Sequence, residues 1–176
     1  MTRFTMMIQV DKIIGNIDSE PYLTMCNDML KNGRVEKIEI SRLESERLRL
    51  RKTSDKGTDI AITMGPGSRI RDGDILLLTE QRMVIVKRTS EDVAMISLKG
   101  IKTQDQLFET ATKLGHTIGN MHRPIKITNG KIYLPIQSKS EIQVFEKLLF
   151  NIRDNLEIHH ENMIFDPEPG YDIHGH

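Results

Sequence analysis

The pattern of apolar and polar positions changes character near residue 88. Before it, short apolar runs alternate with turn chemistry. Residues 34–40 carry Val35, Ile38 and Ile40, and Arg47-Leu48-Arg49-Leu50-Arg51 alternates strictly, which is the period of a half-buried strand with its arginines outward. Asp55-Lys56-Gly57, Gly65-Pro66-Gly67 and Asp72-Gly73 supply turns between apolar runs at 59–64, 75–79 and 83–87. This spacing predicts a small all-β domain over residues 1–88. Residues 17–33 are less regular, and a short helix around 22–30 would be an insertion into it.

After residue 88, strands alternate with helical periods. A strand is predicted at 93–98. Thr103 and Gln106 form a capping box for a helix whose apolar positions Leu107, Ala111, Leu114 and Ile118 recur at helical spacing, and Gly119 is expected to supply its left-handed stop. The runs 125–128 and 131–136 flank Asn129-Gly130, a strong hairpin signal, and should pair antiparallel. Ser138 with Glu141 should cap a second helix bearing Ile142, Phe145, Leu149 and Ile152, before a last strand at 156–165. The order β-α-β-β-α-β is that of the split βαβ, or ferredoxin-like, domain, assigned to residues 89–166. Residues 167–176 open with Pro167-Glu168-Pro169-Gly170 and are expected to leave the body as a flexible tail. The predicted fold class is α+β.

Charge narrows the range of partners. Lysine plus arginine number 25, as do aspartate plus glutamate, so no net field gathers nucleic acid or an anionic membrane. The one cysteine, Cys26, excludes an intramolecular disulfide and a Cys-x-x-Cys zinc or redox motif, and its expected state is a buried, inert thiol in a reducing cytoplasm. No apolar run approaches the roughly 18 residues of a membrane span, and no export signal is expected at the N-terminus.

All six histidines fall at residue 116 or later. His122 lies four residues past the last apolar helical position, where the chain turns and its ring should be exposed, while Pro124 holds Arg123 extended. Alone, it reads most plainly as a surface or capping histidine, because one imidazole does not hold a divalent ion against water. In a twofold dimer whose axis passes this loop, however, His122 meets its own copy. A tethered tail would then add His174 and His176 at high effective concentration. Such a nitrogen-rich, loosely built site suits nickel, copper or zinc. His159 and His160 are adjacent in a predicted strand and point to opposite faces, and His116 does not share a helical face with His122.

Two other functions compete with metal carriage. A metal-dependent hydrolase would need three or so protein ligands and a general base, and no His-Glu-x-x-His, paired-carboxylate or nucleophile-His-Asp pattern supplies them. A peptide- or RNA-binding module would use Arg47, Arg49 and Arg51. An RNA reader of this topology stacks bases on sheet aromatics, and the predicted strands offer only Tyr133 and Phe165.

The run Leu114-Gly115-His116-Thr117-Ile118-Gly119-Asn120-Met121-His122-Arg123-Pro124-Ile125-Lys126-Ile127 resembles the helix-to-strand signature of the UreE urease accessory proteins, a family of nickel metallochaperones. Gly-Asn-x-His-x-Pro at 119–124 is its most specific part. Residues 48–52, 57–60 and 71–76 are similar to the family's N-terminal β-domain, and 165–171 to its Phe-x-Pro-Glu tail. The resemblance implies a homodimer without catalytic activity, joined through its C-terminal domain and contacting protein partners through its N-terminal domain. It implies nickel held by one histidine per chain, His122 by motif match, with His174 and His176 assisting. It also implies delivery to the GTPase UreG and the apo-urease complex. Residues 131–142 lack the histidines several members carry there, and the tail offers only His174 and His176, so a low ion stoichiometry is implied.

Overall fold

The branched aliphatic positions of the first half close on one another as two sheets in the computed structural model, which describes residues 7–167. The chain divides into two units between Thr89 and Ser90. In the first, β1 (Ile8–Val10), β2 (Gly15–Asn16), α1 (Tyr22–Lys31), β3 (Val35–Ile40), α2 (Arg42–Ser45), β4 (Arg49–Thr53), β5 (Asp59–Thr63), β6 (Asp74–Leu78) and β7 (Met83–Arg88) follow in order. One sheet runs β1-β5-β4 and the other β2-β6-β7-β3.

Successive strand residues point to opposite faces, so each run divides its side chains between two cores. Ile38, Ile40, Val84 and Val86 meet Val10, Ile60 and Ile62 of the three-stranded sheet. Val35, Ile75, Met83 and Ile85 point the other way, where α1 covers them with Cys26 and Met29. The unit is therefore mostly sheet but not all-β. The helix expected as an insertion completes a second core, and its pattern is weak in sequence because only those two of its ten residues are buried. The expected turns form with Gly57, Gly67 and Gly73 in the left-handed region. At Gly73 a Cβ would also come within 2.8 Å of Ile17 Cγ1.

Strand β4 lies at a sheet edge with Arg49 and Arg51 exposed. The Arg51 guanidinium donates to both Asp59 oxygens, at 3.0 and 2.7 Å, which holds that carboxyl below its ordinary range. Helix α2 opens with a capping box in which Glu44 accepts from the Ser41 backbone at 3.0 Å and Ser41 Oγ accepts from the Glu44 amide at 3.3 Å. The Lys52 ammonium, 2.8 Å from Glu44, is the larger cause that brings this carboxyl from an ordinary 4.5 down to about 2.

The second unit runs β8 (Glu91–Leu98), α3 (Gln104–Asn120), β9 (Lys126–Thr128), β10 (Lys131–Pro135), α4 (Glu141–Leu148), a 3-10 turn (Phe150–Asn155) and β11 (Leu156–Met163). Its sheet has the order β11-β8-β10-β9 with every neighbour antiparallel. Asn129 and Gly130 both take positive φ, 51° and 71°, the two-residue reversal that matches strand twist between β9 and β10. One sheet face packs Ala94, Ile96, Leu134 and Ile158 against Leu114, Ile118, Phe145 and Ile152. The other gathers Val93, Met95, Tyr133 and Phe165. The chain is thus a mixed α+β protein dominated by sheet. No helix among the described residues is long and apolar enough to cross a membrane.

Three local expectations give way. Leu107 and Ala111 are exposed, and α3 buries Thr110, Leu114 and Ile118 instead, so its seam is narrower than the apolar spacing suggested. Gly119 does not stop the helix: α3 continues through Asn120, and the left-handed residue is His122, at φ 50°. Ser138 does not cap α4, since its hydroxyl meets Ser140 Oγ at 2.7 Å, while Glu141 accepts from the Gln137 amide at 3.0 Å.

Phe145 has no exposed surface, and Phe145→Ala should cost about 3–5 kcal/mol through lost transfer energy and a residual cavity, measured by urea unfolding. Glu44 gives a pH test. Because folding depresses its pKa, its contribution is fully present above pH 4.5 and disappears as the pH falls through about 2. Glu44→Gln should flatten the stability profile across that window, measured by unfolding at stepped pH.

Candidate metal centre

Helix α3 carries His122 to its place. The cap residue Met121 donates its amide to the Ile118 carbonyl at 3.0 Å, and the His122 amide reaches Gly119 at 3.2 Å, so the helix winds down over two residues. His122 then takes the left-handed conformation, which a Cβ-bearing residue adopts at a cost. The consequence is a sharp departure from the helix axis with the imidazole outside the core. His122 is exposed, as expected, and its ring makes no hydrogen bond among the described residues.

The chain beyond is held by a side chain. Arg123 Nη1 donates to the Pro135 carbonyl at 2.9 Å and to Glu141 Oε2 at 2.5 Å. Glu141 Oε1 accepts the Gln137 amide, so one carboxylate links the His122 loop to the start of α4. Sequence reasoning missed this pair and assigned Glu141 only a cap. A pairing across 18 residues leaves no periodic trace, although an acidic residue at a helix start is the available signal.

An apolar groove of about 560 Å³ adjoins the same loop. Ala111, Gly115 and Gly119 of α3 form one wall, and Ile125, Ile127 and Ile132 the other, with Arg123 also lining it. Phe108, on α3, is 74% exposed and Ile127 is 45% exposed.

The other donors are dispersed. The His116 ring lies 3.2 Å from Asn120 Nδ2 on the exposed side of α3. His159 is exposed, while His160 points to the opposite sheet face and sits 2.9 Å from Asp92, whose carboxyl it holds down together with Asn162. Cys26, on the buried face of α1, is 3% exposed, and burial pushes its thiol up, away from the thiolate that binds metal. His174 and His176 lie outside the described residues. Among the described residues no three histidine, cysteine or acidic side chains converge on a cation site. Of the sequence-derived ligands, then, the structure places His122 alone, as an accessible, unengaged imidazole.

Residues 10–88 match the family model for the N-terminal domain of the UreE urease accessory protein. The chain is similar to the urease accessory protein UreE of Yersinia rohdei, at 31% identity over 134 residues that cover 74% of this chain and 58% of that protein. The proteins of the same name from Yersinia bercovieri and Yersinia enterocolitica serotype O:8 align over the same length at 31% and 30% identity. The chain spans less than two thirds of the length of these relatives. The family is one of accessory proteins rather than enzymes. By the match of its N-terminal unit and by relatives whose similarity extends over 134 residues, this chain is similar to the UreE urease accessory proteins.

Proposed function

We propose that the protein is a metallochaperone that carries Ni(II) for assembly of the urease metallocentre. The ion is its cargo, held between two copies of the chain by His122 of each, with His174 and His176 adding donors; copper or zinc would fit the same imidazoles. The observation that carries this reading is an exposed imidazole with no hydrogen-bonded partner among the described residues, set on a left-handed turn. One such ring is a weak ligand, whereas two brought together by a symmetric interface form the beginning of a site.

The groove beside the loop supports association of two chains. An apolar groove that includes exposed Ile127, against a helix that also exposes Phe108, is costly to leave in water, and a symmetric partner seated there would lie next to its own His122. The strand order β11-β8-β10-β9 supports a ferredoxin-like assignment for residues 89–166 as the dimerising, metal-binding domain. Residues 1–88 would face protein partners, and 167–176 would form the ligand-bearing tail. In this scheme the recipients are UreG and the apo-urease complex, met in the cytoplasm.

Isothermal titration with Ni(II) tests the scheme. His122→Ala should abolish the tight site, and deletion of residues 174–176 should lower affinity or ion number while the dimer survives. Tight binding that persists in His122→Ala would refute the scheme. His122→Gly separates fold from ligand: it relieves the left-handed strain of about 1–2 kcal/mol against a comparable gain in unfolded-state freedom. Its folding stability should therefore stay within about 1 kcal/mol of the parent, measured by urea unfolding, while nickel binding is lost.

A further inference from the structure

We propose that Arg123 is a positioning residue for His122, and that its bond to Glu141 and Pro135 holds the loop in the geometry from which His122 binds metal. The inference rests on the nickel reading and deepens it.

The His122 ring has no hydrogen-bonded partner among the described residues to fix its direction, unlike the usual metal-binding histidine, whose second nitrogen is held by a carboxylate or carbonyl. Its direction therefore depends on the backbone beneath it. On the N-terminal side, the Met121 and His122 amides tie that backbone to α3. On the C-terminal side Pro124 has no amide hydrogen, and ladder pairing resumes only at Lys126 opposite Tyr133. Between them, the Arg123 guanidinium is the hydrogen-bonded anchor. It reaches the end of β10 through the Pro135 carbonyl and the first turn of α4 through Glu141.

Both side chains are partly withdrawn from solvent, at 27% and 18% exposure, which makes this a better-defined pair than a surface ion pair. Glu141 is itself fixed by the Gln137 amide, so the guanidinium meets a preset oxygen. The clamp opposes relaxation of a strained left-handed residue whose own side chain is exposed. Freed from it, the loop would sample other directions, and each bound ion would have to order it again.

The test uses the full chain and two measurements, one of them free of metal. In Arg123→Met without metal, the backbone amide order of residues 121–123, read by heteronuclear NOE, should fall. Nickel affinity should drop about tenfold, the scale of losing a partner that orients a ligand, with the oligomeric state by sedimentation unchanged. Arg123→Lys, which keeps a cation able to reach Glu141, should restore most of both. Glu141→Gln, which keeps an acceptor for the Gln137 amide but removes the charge, serves if Arg123→Met does not fold, and it should lower affinity in the same direction. Unchanged loop order, nickel affinity within twofold of the parent, or an affinity loss accounted for by dissociation of the chains would each overturn the clamp. Undiminished nickel binding in His122→Ala would instead overturn the reading beneath it, and the positioning role with it.

Discussion

The chain must reverse direction between Asn120, the last residue of α3, and Lys126, the first of β9, and the placement of His122 depends on how it does so. The reversal is made without glycine at its left-handed position, which falls on His122. A residue with a Cβ occupies that region only when its surroundings over-determine it. Here the surroundings are two helix-end amide bonds on one side and a guanidinium bond on the other. The imidazole is thereby presented outward by backbone geometry, between Met121 and Ile125, which pack against the core.

The two units solve burial in different ways. In the first, a four-stranded sheet is covered on both faces, by a second sheet and by α1, so its strands read as nearly continuous apolar runs such as Met83-Val84-Ile85-Val86. In the second, α3 and α4 cover one face, while the far face is closed over Val93, Met95 and Tyr133 by Phe165, just past the end of β11. Helix α3 buries only a narrow seam, which leaves Leu107, Phe108 and Ala111 facing out. The apolar surplus lies on the same helix that delivers His122, so a surface suited to association and a candidate ligand belong to one element.

Legibility in the sequence followed the range of the interactions. Strands, turn glycines and the Asn129-Gly130 hairpin were readable because each depends on residues a few positions apart. Helix α1 was faint because its two buried residues, Cys26 and Met29, give little period, and its role depends on a sheet face assembled from distant strands. Gly119 misled because composition marked a helix stop that the structure moves to a histidine. At the candidate site, the placement and exposure of His122 were legible from its position past the helical period. The Arg123–Glu141 pair was not, since it spans 18 residues. The tail ligands His174 and His176 fall beyond the described residues.

The burial of Cys26 has a practical side. A thiol 3% exposed, with its ionisation pushed up, is a poor nucleophile and a poor soft ligand in the folded protein. No covalent cross-linking between molecules through that sulfur is expected while α1 stays docked. Preparations can then dispense with dithiothreitol and similar reductants, which compete for transition metals, so the proposed metal binding can be tested in plain buffer.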